Sequence, residues 1–256
     1  MDIWIYLNGI RYAPGKLSGW PVEFTHLTHY TTHARAYPAE HHFFFIRNYK
    51  RLKEISQRLA DLIVQYRARG YRVHFCTHSN GAVVACRTLD KLPTGQAVAT
   101  FHAIAPAAWS SLERNGLNTA LKSGQLQHFF FYGSTADKVV RLGRWTGKLL
   151  RPLGLGYGGM SYDGPRDVDP SIQSRVHTYW ASQPNEAWLQ DWRGTHESSP
   201  SLSFAHSDWF TPARYRQTFA RVQQNTAKEI PSYAAHLQQV CQHSAASLPS
   251  LSSYAK

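Results

Sequence analysis

The chain has 256 residues, 43% of them hydrophobic and 13% aromatic, which is enough to bury the core of one large α/β domain. A formal charge of +12 and a pI near 9.8 invite a nucleic-acid or membrane partner. But the cations are scattered (Arg51, Lys53, Arg58, Arg67, Arg69; then Arg141, Arg144, Lys148, Arg151), with no basic tail and no nucleic-acid motif. A solvated basic surface is therefore expected, with weak attraction to anionic surfaces and no specific nucleic-acid partner. No apolar run approaches the ~18 residues of a membrane span. The first residues enter a strand without a basic or apolar leader, so no signal peptide is read and a cytoplasmic location is expected. Three cysteines, Cys76, Cys86 and Cys241, are an odd number and read as reduced, buried thiols.

Residues 3–7 are a first strand closed by Asn8-Gly9. A helix is predicted over 21–33, with Pro21 in its first turn. A second strand falls within 34–46, where Ala34–Tyr37 and His42–Ile46 both qualify. Leu52, Ile55, Leu59, Leu62, Ile63 and Tyr66 recur at helical spacing and predict an amphipathic helix over 48–69, stopped by Gly70. Strand 71–76 follows, then a sharp turn at His78-Ser79-Asn80-Gly81 and a helix to about residue 91. Val98–Ala105 is a strand, 111–123 a short helix, His128–Tyr132 an apolar strand and Val176–Trp180 a last strand. Thr211-Pro212 starts a helix, and the serine-rich residues 244–256 read as a frayed tail. Strands alternating with helices imply a mostly parallel sheet covered on both faces, in a single domain over 1–243.

In such a sheet the site lies beyond the carboxyl ends of the strands. Applied to each strand in turn, that rule selects Ser79, then Asp137, then His206. A serine hydroxyl is a weak nucleophile at neutral pH. An imidazole can take its proton and return it to the leaving group, and a carboxylate can hold the ring in the required tautomer. Asp208 is a second candidate for the acid.

These residues carry a resemblance. Leu7-Asn8-Gly9-Ile10 after the first strand, His78-Ser79-Asn80-Gly81 at the turn, Asp137, and His206-Ser207-Asp208-Trp209-Phe210 together make the chain resemble an α/β-hydrolase over roughly residues 3–225. The likeness is to the compact bacterial serine hydrolases. It implies Ser79 as nucleophile, His206 as general base and Asp137 as the orienting acid. It also implies an oxyanion hole from the Asn80 N–H and from the loop after Gly9, most directly the Ile10 N–H. His78, Asn8, Trp209 and Tyr157 are the expected substrate-lining residues. Thr77 stands where the family motif has glycine, and Asn8-Gly9 replaces the commoner His-Gly.

Only residues 106–127 separate the strand after the elbow helix from the acid-bearing strand, which leaves no room for a full cap domain. Residues 138–175 and 181–203 are candidate lid or rim excursions. Hydrolysis of carboxylic esters with short to medium acyl chains is expected, while a thioesterase, lipase or amidase would use the same three residues. The reading of another class is a non-catalytic protein that holds nucleic acid or an anionic membrane through its basic surface. His26, His29 and His33 would share a face of the predicted 21–33 helix, but read as exposed polar residues; no metal and no cofactor is expected.

Overall fold

The computed structural model describes residues 1–9, 20–29, 33–37, 45–135, 137, 140–141, 158–181, 206, 208–210 and 214–246. Six strands form one all-parallel sheet: β1 (Asp2–Leu7), β2 (His33–Tyr37), β3 (Arg72–His78), β4 (Val98–Ile104), β5 (Leu126–Gly133) and β6 (Val176–Trp180). Their spatial order is β2-β1-β3-β4-β5-β6. The chain first steps from β1 outward to β2, then crosses back past β1 to β3 and continues to the other edge. The direction of winding thus reverses between β1 and β3, the switch point beyond whose carboxyl ends parallel sheets of this kind place their sites.

The side chains of each strand alternate between two cores. One face presents Ile3, Ile5, Leu7, Val73, Phe75, Phe101, Phe129 and Phe131 to α2 (Phe45–Ala68), α3 (Gly81–Leu89) and α4 (Leu117–Lys122). The other presents Trp4, Tyr6, Phe130 and Tyr132, with buried His74 and His102, to α1 (Trp20–His29), α6 (Tyr215–Glu229) and α7 (Pro231–Ala246). A four-residue helix, α5 (Met160–Asp163), and a 3-10 turn at Pro170–Arg175 lead into β6. Each fully buried Phe or Leu contributes about 1.5–3 kcal/mol relative to an exposed one.

Several boundaries differ from the sequence reading for identifiable reasons. α1 ends at His29 and His33 already lies in β2, so His26, His29 and His33 do not share one helix. Of the two candidate second strands, His33–Tyr37 forms β2, while α2 begins at Phe45. Of the predicted 111–123 helix only Leu117–Lys122 is helical; turns occupy the residues before it. The helix expected from Thr211-Pro212 runs over Tyr215–Glu229, and a further helix after it extends to Ala246, past the expected start of the tail. Pro231 explains the break between α6 and α7: it has no N–H to continue the first helix but fits the first turn of the second. No helix among the described residues is long and apolar enough to cross a membrane.

Candidate functional site

Ser79 occupies the sharp turn between β3 and α3 with φ of 54°, a left-handed conformation costly for a residue with a Cβ. Three backbone hydrogen bonds hold it there. Its N–H donates to the Ile104 carbonyl at 3.1 Å, and its own carbonyl accepts from Ala107 N–H at 3.0 Å and Ala82 N–H at 3.2 Å. The crossing of β1 and the turn is tight enough to require glycine twice. A Cβ on Gly9 would lie 2.7 Å from Ser79 Cβ, and one on Gly81 would run into the carbonyls of Leu7 and Asn8. Thr77 causes no obstruction, because its hydroxyl turns aside to the His102 carbonyl at 3.3 Å.

Asp137 follows β5 and is 1% exposed. His206 Nδ1 meets Asp137 Oδ2 at 2.8 Å, Ser161 Oγ donates to the same oxygen at 2.7 Å, and Val140 N–H donates to Oδ1 at 2.9 Å. Burial pushes this carboxyl up, but the hydrogen bond and charge of His206, with the Val140 and Ser161 donors, bring it below the usual carboxylate range. An ionised Asp137 accepts only, so His206 Nδ1 carries the proton and Nε2 points away from the carboxylate.

The residue next to the serine also reaches the histidine. His78 Nε2 lies 2.9 Å from the His206 carbonyl oxygen, so the nitrogen is the donor, and the two rings sit 4.8 Å apart. Burial and the neighbouring His206 lower the His78 pKa to about 3, which keeps this clamp neutral at any ordinary pH. Ser79 and His206 are therefore joined through His78. Among the described residues no hydrogen bond links Ser79 Oγ directly to the His206 ring; such contacts are commonly long before substrate binds.

Two residues were not singled out in the sequence. Ser161 buttresses Asp137, and the strap that delivers it is stitched to the loop after β4: Gly158 N–H to Ala107 O at 2.9 Å, Met160 N–H to Ala108 O at 3.1 Å, and Ser161 N–H to Pro106 O at 3.0 Å. So residues 158–161 of the expected 138–175 lid are docked structure. Thr218 in α6 fixes the segment just after His206, with its hydroxyl on the Trp209 carbonyl at 2.7 Å. No short motif marks either serine or threonine, because each contact spans elements whose proximity depends on the sheet order.

Asn8 and Asn80 are both buried, at 0% and 1% exposure, and among the described residues their side-chain amides have no hydrogen-bond partner. Trp209 is 1% exposed and packs edge-on to Tyr132 in the core beneath the site. Ile10 and Tyr157 lie outside the described residues, as do 138–139 and 142–157 of the expected 138–175 excursion, 182–203 of the expected 181–203 one, and the Asp208 side chain. Cys76 and Cys86 are buried free thiols whose burial raises their pKa, the opposite of what a thiolate nucleophile needs.

The fold and the site define an α/β protein with a parallel sheet and a strained serine turn beside a hydrogen-bonded His–Asp pair. Comparisons with protein-family models, curated proteins and solved structures give no match for this chain.

Proposed function

We propose that the chain is a serine hydrolase of the α/β-hydrolase type that cleaves carboxylic esters through an acyl-enzyme. The observation that carries this reading is the 2.8 Å hydrogen bond between His206 Nδ1 and buried Asp137, on a segment clamped by the neighbour of a serine held at φ 54°. The order of the three residues along the chain, each beyond a different strand, supports it.

In the proposed reaction Ser79 Oγ attacks the ester carbonyl carbon while its proton passes to His206 Nε2. The imidazolium is stabilised by Asp137, which keeps its charge throughout. The tetrahedral oxyanion is received by the Asn80 N–H at the start of α3 and by a backbone N–H of the loop after Gly9, each donor contributing about 3–4 kcal/mol. Collapse of the intermediate expels the alcohol with the His206 proton. Water, deprotonated by the same nitrogen, then attacks the acyl carbon; the acyl–Ser79 bond breaks as His206 returns that proton to Ser79 Oγ, and the acid is released. Among the described residues only the six-residue α4 stands between β4 and β5. That small insertion supports an open cleft and substrates of short to medium acyl chain.

Treatment with a fluorophosphonate probe, with hydrolysis of a nitrophenyl ester series, tests the reading. Stoichiometric labelling of Ser79 and loss of both labelling and turnover in Ser79→Ala are expected. An unlabelled Ser79, or a Ser79→Ala protein with full activity, sinks it. A parallel thioester and amide panel ranks the leaving groups.

A further inference from the structure

At the end of the sheet remote from Ser79, three side chains from separate elements converge. His128 lies near the start of β5, His177 near the start of β6, and Glu229 is the last residue of α6. Each offers one donor atom, and the three lie within 4.8 Å of one another. We infer that His128, His177 and Glu229 form a binding site for one borderline divalent transition-metal ion, for which zinc is the test case.

The spacing supports this. Two ligands on a tetrahedral ion with bonds of ~2.0–2.1 Å are about 3.3 Å apart. His128 Nδ1 and His177 Nε2 are 3.4 Å apart, so no backbone adjustment is needed for them. Glu229 Oε2 is 3.9 Å from His128 Nδ1, about half an ångström more than two ligands of one ion need. Its Oε1 lies 3.9 Å from His177 Nδ1 and not from the Nε2 that faces His128; because one imidazole gives one nitrogen to an ion, turns of the Glu229 and His177 side chains have to close up three donor atoms that lie within 4.8 Å of one another. Two imidazoles with one carboxylate select zinc, cobalt or nickel over magnesium and calcium, which prefer all-oxygen shells. The three side chains keep 17–21% exposure, enough for water to complete the shell.

Arg175 near His128 and Lys228 near His177 oppose further positive charge at this place. A dication is therefore held only if Glu229 offsets them, which makes the carboxylate the most sensitive ligand. The ion is too far from Ser79 to react with substrate: α6 has 15 residues, about 22 Å of helix, between Glu229 and the end near His206. Its role is to fasten the C-terminal end of α6 to β5 and β6 while Thr218 fastens the other end to Trp209. This inference is independent of the proposed hydrolysis.

The test uses tag-free, metal-stripped full-length protein titrated with zinc chloride at pH 7.5 by calorimetry. One saturable site per chain is expected. Glu229→Gln and His177→Ala should each weaken it at least about tenfold, while His26→Ala, at an exposed position of α1, leaves it unchanged. No saturable binding by the wild type, or equal affinity in Glu229→Gln, overturns the site. Should His177→Ala fail to fold, the near-isosteric Glu229→Gln decides alone. X-ray absorption of the zinc-loaded wild type supplies a second readout: two imidazole nitrogens in the shell support the assignment, and a shell without them refutes it.

Discussion

The two faces of the sheet are built from different chemistry. The face under α2, α3 and α4 is aliphatic and phenylalanine-rich, and its cohesion is area removed from water. The face under α1, α6 and α7 is aromatic and wired with hydrogen bonds. Asn225 Nδ2 donates to Tyr132 Oη at 2.8 Å, Tyr132 Oη meets His102 Nδ1 at 3.0 Å, His102 Nε2 meets Thr226 Oγ1 at 2.9 Å, and Thr226 Oγ1 donates to the Val222 carbonyl at 2.9 Å. Every donor in that chain is used once only if His102 is neutral with its proton on Nε2. Beside it, His74 bridges Thr100 at 2.8 Å and Asp2 at 2.9 Å and stacks on Trp4. The first face tolerates any pH; the second has a defined protonation state. The proposed catalytic residues straddle the two, since Ser79 leads into α3 on the aliphatic face and His206 precedes α6 on the wired one.

The largest test of this contrast is volume. Phe101→Ala empties the aliphatic face and should cost about 3–5 kcal/mol, by the same amount at pH 8 and pH 5.5, in urea unfolding. A marked pH dependence of that difference would break the comparison.

Protonation probes the other face. Burial lowers the pKa of His102 well below its ordinary value and that of His78 to about 3. Both groups therefore contribute stability that is present above the unfolded-state pKa near 6.5 and is lost as pH falls, because only the unfolded chain takes up their protons. Between roughly pH 5.5 and 4 the two together should remove up to about 2.7 kcal/mol per pH unit. His102→Phe should halve that slope in urea titrations across the range; an unchanged slope would move the acid sensitivity elsewhere.

A smaller effect is expected at Asp2. Burial raises its pKa, but hydrogen bonds and charge from His74 and Arg72 bring it down to about 2. Its contribution is therefore full above pH ~4 and is lost as pH falls toward 2. Asp2→Asn should cost about 2 kcal/mol at pH 7, with the gap to the wild type closing under acid.

The smallest effect expected lies at the seam. His78→Phe keeps the ring contacts but loses the donor to the His206 carbonyl, and should lower kcat on nitrophenyl esters about tenfold with little change in thermal midpoint. A drop in stability without a drop in kcat would show that His78 merely packs.

Much of the fold was legible because it rests on local rules. Short runs of aromatic and β-branched residues pointed to β1, β3, β4 and β6, the 3.6-residue repeat of Leu52 to Tyr66 to α2, and Gly70 at φ 78° ended it. The Ser79 turn was legible from small residues after a strand. α7 was missed although Pro231 marks its start, since its weakly amphipathic pattern resembles a loop. The histidines at 26, 29 and 33 misled because spacing alone does not reveal a helix end at residue 29.

The sequence by itself determined the alternation of strands and helices, the two chemistries that alternate along each strand, and the serine, acid and imidazole at strand ends. These depend on neighbours within a few residues and on the fixed periods of helix and strand. Only the tertiary structure decided that Ser161 supports Asp137 from 24 residues away, that His78 holds the His206 backbone across 128, and that His128, His177 and Glu229 meet. Those contacts follow from strand order and helix docking, which are set by the burial of whole faces and leave no local trace in the chain.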